Sequence, residues 1–519
     1  MLVSAAVALA FRLPGLNLRP MHGDEAVHAV KFDELWHAGQ YQYDPDEYHG
    51  PTLYYLTFPS VWLSGATDFA HTQAATYRLV PVVVGVVLIL LLLLIGRGLG
   101  WPATACAAVL TAVSPAMVFY SRYYIQETLL VCFTLLVIAA GWRYVQSRRI
   151  GWVLLAGVGV GLMHATKETC VIVWGALVGA LVVTLLWVRA SHTADAHPAL
   201  PPRRGGLWVA LGAGVLAAVL VSVLLFSAGF THLRGPLDSL RAYAIYFQRA
   251  GGGVHEHPWY YYLQMLGYTH YAPGPVFSEV LIVGLAVVGL IVIVRRRETS
   301  GLLRFVAVYT ILLTAIYSAI PYKTPWCALG FLHGMILLAG HGAATLVAGC
   351  LSRTKLGMGR LALTAGVAVL LLAGTTQLAW QAWRGSQRFY ADPRNPYVYA
   401  HPVRDVEHLT TQLTRLAAVS PDGPRMLIKI VVENCWPLPW YLRGFERVGY
   451  WEQPPDEPDA DVVLVSYALQ DALAPRLRDA YEVSYYGLRR DEILAVYVRR
   501  ALWTTFVQSL TPATQPTVP

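Results

Sequence analysis

The sequence predicts an α-helical polytopic membrane protein with a long first external loop and a small extracytoplasmic α/β domain at its C-terminus. Three observations carry this reading. Only 13% of the 519 residues are charged and 56% are hydrophobic, where soluble domains carry about 25% charge. Many apolar runs approach the ~20 residues needed to cross the hydrocarbon core, and the mean hydropathy is +0.47. Lys and Arg cluster in every second connection between those runs. The net charge of +8 follows from these clusters and does not indicate a nucleic-acid partner.

Candidate spans are 1–15, 77–96, 101–120, 127–143, 150–165, 169–188, 206–229, 276–294, 302–320, 326–349 and 359–380, about eleven in all. Each must be helical, because a segment in lipid has to satisfy its own backbone hydrogen bonds. Leu2 to Leu13 lacks a basic flank and is interrupted by Arg12. It therefore reads as a short first span and not as a cleavable signal.

Orientation follows from the short basic loops. They hold Arg97, then Arg143, Arg148 and Arg149, then Arg189, Arg203 and Arg204, then Arg295 to Arg297, then Arg353, Lys355 and Arg360. All five lie on one side if the N-terminus starts in the cytoplasm. The opposite side receives the first loop (16–76), a loop at 231–275 and the C-terminal region. The expected division is a membrane domain over 1–383, an extracytoplasmic domain over 384–510 and a disordered Pro/Thr-rich tail over 511–519. In the C-terminal part, Met426 to Val432 and Val462 to Ser466 read as strands, with a helix-like Leu438 to Phe445 between them. The six cysteines show neither CxxC nor metal-ligand spacing and read as small buried hydrophobes.

Candidate chemistry falls on the external side. The first loop begins His22-Gly23-Asp24-Glu25-Ala26-Val27-His28 and continues through Asp46, Glu47 and His49-Gly50-Pro51. A carboxylate at the membrane surface can take a proton from an acceptor hydroxyl; the structural alternative is that Asp24 and Glu25 open an interfacial helix. A second interfacial helix is expected at Tyr54 and Tyr55. His22, His28 and His49 with these acids are candidate ligands for a divalent metal ion. Three more charged groups stand at external span ends: Arg122 with Glu127, Lys167 with Glu168, and Tyr322 with Lys323. Ionisable residues at membrane depth are functional candidates by default. Several cations near one acid suit a phosphate leaving group. The alternative is ion pairing of Arg122 with Glu127 and of Lys167 with Glu168. Residues 251–253 are glycines and precede His255-Glu256-His257-Pro258-Trp259, a pattern that suits a loop over a pocket or an interfacial aromatic belt. No Walker motif, dinucleotide fingerprint or nucleophile elbow is present.

The stretches around Asp24-Glu25, Tyr120 to Glu127, Lys167-Glu168 and Pro321 to Trp326 resemble the GT-C glycosyltransferases. Within them the chain is most similar to the protein mannosyltransferase and aminoarabinose transferase clan, in a prokaryotic, family 39-like subgroup. The resemblance implies a GT-C-type bundle and a polyprenyl-phosphate sugar as donor of a hexose or pentose. It implies an acceptor hydroxyl on a protein, lipid or glycan outside the cytoplasm of a prokaryotic cell. It assigns Asp24 the role of base or acceptor-orienting group, with Glu25 as its neighbour. By position, Arg122, Lys167 and Lys323 would hold the donor phosphate, supported by His28, His49, Glu127, Glu168, Tyr322, His255 and His257. Aminoarabinose transferases commonly carry an Arg shortly after the acid pair, and this chain has His28 near that place. The rival reading is a flippase or transporter component for lipid-linked sugars, and a third is a non-catalytic membrane subunit.

Overall fold

The computed structural model describes all residues except 40, 47–48, 191–203, 250–254, 297, 352–357 and 511–519. Glu47, the glycine run 251–253 and the Pro/Thr-rich tail therefore lie outside the described residues. The chain divides into two compact units. One comprises Met1–Leu16, Glu34–Leu63 and Ala75–Tyr399; the other comprises Asn17–Asp33, Ser64–Ala74 and Ala400–Pro519.

The first unit is helical. Its long apolar helices are α5 (Ala74–Leu99), α8 (Glu127–Ser147), α10 (Cys170–Ala190), α11 (Arg204–Phe226), α15 (Gly301–Ala319), α16 (Leu329–Leu351) and α17 (Met358–Gln387). Among the described residues these supply seven spans long and apolar enough to cross a membrane. The shorter apolar helices are α1 (Leu2–Arg12), α6 (Trp101–Val113), α9 (Ile150–His164) and α14 (Val280–Arg295). They occupy the remaining expected positions. The protein is therefore multi-pass.

Two expected spans change form. The run 101–120 divides at Ser114 into α6 and α7 (Pro115–Tyr120), because Pro115 lacks the N–H that would continue the helix and Ser114 caps the new start through Met117 N–H. The run 276–294 begins as β2 (Val276–Phe277), paired with β1 (Thr269–His270), and becomes helical only at Val280.

Helix packing relies on glycine where backbones nearly touch. A Cβ on Gly289 would lie 2.2 Å from Leu338 O, and one on Gly342 would lie 2.1 Å from Leu285 O. Only Gly permits α14 and α16 to approach so closely, the small-residue contact usual between membrane helices. The connections between the spans carry α2 (Gly23–Ala38), α3 (Thr52–Tyr55), α4 (Phe58–Ser64), α12 (Gly235–Arg249) and α13 (Tyr261–Gly267). The first two appear where the sequence places its interfacial helices.

The second unit is built on a five-stranded sheet, ordered β4-β3-β5-β7-β6. The strands are β3 (Ile428–Val431), β4 (Val448–Trp451), β5 (Val462–Ser466), β6 (Tyr481–Arg489) and β7 (Glu492–Arg499). β3 runs parallel to β4 and β5, whereas β7 is antiparallel to β5 and β6. Helices α18 (Asp405–Val419), α19 (Leu438–Tyr441), α20 (Gln470–Leu477) and α21 (Arg500–Leu510) accompany it. The central strand β5 reads as an apolar run because both faces are buried, while Lys429 interrupts the run of β3. Ile428, Ile430, Val462 and Leu464 face the core of α18 and α21, and Val431, Val463 and Val465 face that of α20.

Candidate active site

In the first unit, buried charge gathers at helix ends. Lys167 lies between α9 and α10, and its ammonium bonds the carboxylate of Glu127 at the first residue of α8. The side chains are 9% and 6% exposed. The two local ion pairs that the sequence allows, Arg122 with Glu127 and Lys167 with Glu168, give way to this cross-helix pair, which sequence order cannot reveal. Burial works against the Lys167 ammonium, but Glu127, Cys327 and Glu168 together outweigh it and hold the group above its ordinary value.

Glu168 turns the other way. Its carboxylate meets His49 Nδ1 at 2.7 Å and accepts from the Tyr43 hydroxyl at 3.0 Å. Burial would raise the Glu168 carboxyl, yet His49 and Tyr43 together hold it below its ordinary value. The register that brings His49 there depends on Gly50. Thr52 bonds Ala165 O through N–H (3.0 Å) and hydroxyl (2.6 Å), and a Cβ on Gly50 would lie 2.3 Å from that oxygen. Gly50→Ala is therefore expected to lower the unfolding temperature by several degrees, the effect of about 1–3 kcal/mol of overpacking. Differential scanning fluorimetry in detergent checks this; an unchanged transition would show that the turn can move aside.

Arg122 is engaged structurally. Its guanidinium donates to the carbonyls of Phe11, Arg12, Pro14 and Gly15 at 2.6–3.2 Å, capping the C-terminal end of α1. Arg12, an interruption of the first span in the sequence, is 1% exposed and donates to Ser121 Oγ and to the carbonyls of Ala112 and Thr111.

Lys323 differs from both other cations. It is 1% exposed, and its ammonium donates to the carbonyls of His257 (3.0 Å) and Ile320. Among the described residues no carboxylate pairs with it. A backbone bridge joins the loop at Glu256 to Tyr322, with Lys323 N–H on His255 O (2.9 Å) and His257 N–H on Pro321 O (3.1 Å). This bridge brings the predicted residues His255, His257, Tyr322 and Lys323 together. Tyr399 joins them through its hydroxyl on His255 Nδ1, and Tyr261 stacks on His257 at 4.1 Å. Burial, His255 and Lys323 all lower the His257 imidazole below its ordinary value.

A small cavity of about 20 Å³ lies between α8, α10, α15 and α16. Glu127, Thr169 and Tyr317 line its polar part, and Leu130, Val131, Val173 and Leu329 its apolar walls.

The acid pair belongs to the second unit, in the first turn of α2. The two acids have separate environments. Glu25 is fully buried, paired with Arg19 at 3.1 Å and bonded to His22 N–H at 3.1 Å. Asp24 has a side chain 48% exposed, 3.8 Å from His22 Nδ1. His28 is buried on the same helix. Among the described residues no three His, Cys, Asp or Glu side chains converge as a metal-ligand set. The candidate ligands His22, His28 and His49 therefore do not form such a set among the described residues.

Glu279 is a buried acid that the sequence does not single out. It is fully buried at the N-cap of α14, just ahead of the helix, where its carboxylate accepts from Ser114 Oγ (2.8 and 3.0 Å), Ala116 N–H (2.8 Å) and Tyr397 Oη (3.2 Å). The signal available for it is an acid near the start of an apolar run. Burial pushes its carboxyl up to about 7. A raised folded value stabilises the fold at low pH, and that contribution is lost as pH climbs from the ordinary value of about 4.5 to about 7. Glu279→Gln is therefore expected to match the parent at pH 4 and to exceed it at pH 8 by about 2–4 kcal/mol. Unfolding temperatures at the two pH values check this; a pH-independent difference would contradict the assignment.

The model of the dolichyl-phosphate-mannose-protein mannosyltransferase family matches residues 58–199. ArnT from Cupriavidus metallidurans superimposes in its apo state with a TM-score of 0.66 at 17% identity, covering 96% of this chain and 98% of that one. Its structure bound to undecaprenyl phosphate gives 0.65. The oligosaccharyltransferase of Archaeoglobus fulgidus, in the apo form, gives 0.53 at 14% identity, covering 97% and 76%. The chain has the GT-C fold. No curated protein matches it in sequence. The GT-C fold expected from four short motifs thus extends over nearly the whole chain, including the C-terminal sheet.

Proposed function

We propose that the chain is a membrane glycosyltransferase that moves a sugar from a polyprenyl-phosphate donor to an acceptor hydroxyl outside the cytoplasm. The observation that carries this reading is Lys323, a buried ammonium among His255, His257 and Tyr399 with no carboxylate partner among the described residues, in a chain of GT-C fold. A desolvated cation with spare donor capacity is suited to a phosphate oxygen. Lys167, a second buried cation of this unit, is held by its pair with Glu127 and is a weaker candidate for the same phosphate. Arg122 is taken up in capping α1.

The reaction is a single inverting displacement. The acceptor oxygen bonds to the anomeric carbon as the bond from that carbon to the phosphate oxygen breaks. The acceptor proton passes to the Asp24 carboxylate, and the lipid phosphate leaves with its added charge against Lys323. Asp24 is suited to this by its accessible side chain, whereas Glu25 is held by Arg19. The loop charges place this chemistry on the extracytoplasmic side. The acceptor is a protein, lipid or glycan hydroxyl, and the sugar a hexose or pentose.

The test is incubation of purified protein with labelled polyprenyl-phosphate sugars and an acceptor extract, reading released lipid phosphate. Lys323→Ala is expected to raise the donor KM by about 10–100-fold, the worth of a hydrogen bond to a charged group. Release that is absent with every donor would sink the reading; transport without release would point to a flippase.

A further inference from the structure

Glu279 lies outside every role assigned above. It is fully buried and bonds no cation among the described residues. Burying an acid without a counter-charge is costly, and an apolar residue would fill the same space without that cost. The carboxylate does something an apolar residue cannot. It gathers directional donors from separate stretches: Ser114 and Ala116 at the break between α6 and α7, and Tyr397 beyond the end of α17. Glu279 is itself fixed, since its N–H donates to Leu266 O at 2.7 Å.

Tyr397 is the element that this anchor holds. Its hydroxyl reaches Glu279, its N–H donates to Asn395 Oδ1 (3.1 Å) and its carbonyl accepts from the Tyr120 hydroxyl (2.9 Å). Two residues later, the Tyr399 hydroxyl meets His255 Nδ1, and His255 O accepts from Lys323 N–H. Trp326 packs edge-on against both Tyr399 (5.9 Å) and Tyr120 (6.3 Å). An unbroken path therefore runs from Glu279 through Tyr397 and Tyr399 to the backbone that carries Lys323.

We propose that Glu279 is a positioning residue for the lipid-phosphate subsite, anchoring Tyr397 so that Tyr399 and His255 hold Lys323 in place. This rests on the assignment of Lys323 to the donor phosphate. Hydrogen bonds made in a dry interior fix both distance and direction. Loosening the anchor should therefore cost affinity at Lys323 without removing any group that touches the ligand.

Binding of farnesyl phosphate to the full-length chain in detergent, followed by tryptophan fluorescence, tests this. Each variant's unfolding temperature is measured alongside. Lys323→Ala is expected to weaken binding at least about tenfold. Tyr397→Phe and Glu279→Leu should each weaken it by about 2–10-fold, the worth of one hydrogen bond. Glu279→Gln should restore it to within about twofold, because its carbonyl still accepts from Ala116 and its amide can donate to Ser114 or Tyr397. If Lys323→Ala weakens binding and Tyr397→Phe does not, the positioning role is wrong while the Lys323 assignment stands. If Lys323→Ala binds normally, both fail. Should Glu279→Leu not fold, Tyr397→Phe decides alone, since it removes one oxygen atom.

Discussion

Asp24→Asn is expected to cut sugar transfer by about 10²–10⁴-fold, the span of a positioned proton acceptor, while leaving the unfolding temperature unchanged. The amide keeps the shape of the carboxylate and its place in the first turn of α2, but it cannot take a proton. Asp24 is suited to this clean separation because its side chain is half-exposed and makes no close ion pair. Stability tied to it is correspondingly small. Glu25→Gln should behave differently, since it leaves the buried Arg19 guanidinium without its carboxylate and so costs stability as well as activity. The comparison needs rates at saturating donor together with thermal unfolding of the same preparations. Near-normal turnover by Asp24→Asn would remove Asp24 from the reaction.

The second large effect concerns Lys167 and Glu127. Removing one partner of a buried ion pair leaves an uncompensated charge and typically costs about 3–5 kcal/mol. Lys167→Met and Glu127→Gln are each expected to destabilise the protein by that order. The double variant should recover most of the loss, because both charges go together. Activity separates structure from function here. If Lys167 also supports the donor phosphate, the double variant will fold but show a raised donor KM. A double variant with normal kinetics would make the pair a structural staple only. A double variant no more stable than the singles would mean that the two side chains do not form the pair described.

Much of the fold is legible from composition. A run of about twenty apolar residues has one stable form in lipid, a helix, so Leu88 to Ile95 or Val280 to Val294 need no partner to be placed. The expected orientation rests on the basic loops, since Lys and Arg resist translocation. The alternation and β-branching around Ile428 and Val462 mark two strands of the terminal sheet. Its long hairpin, Tyr481–Arg489 with Glu492–Arg499, does not stand out, because tyrosine and charged residues on an edge strand blur the apolar pattern. The site is legible as a roster. Asp24, Lys167 and Lys323 stand out because ionisable groups beside apolar runs are expensive.

The sequence by itself thus determined the solvent the chain lives in, the helical spans and the set of charged residues at their ends. Tertiary structure alone decided what those charges do. Lys167, from the connection before α10, pairs with Glu127 at the head of α8, Arg122 caps α1, Glu25 closes on Arg19, and the Lys323 ammonium donates to two carbonyls. It also revealed Glu279, hidden at the head of an apolar run and satisfied by donors from distant stretches. The reason is physical. The cost of placing a residue in lipid is local and can be read along the chain, whereas pairing and capping depend on distances that only the folded chain sets.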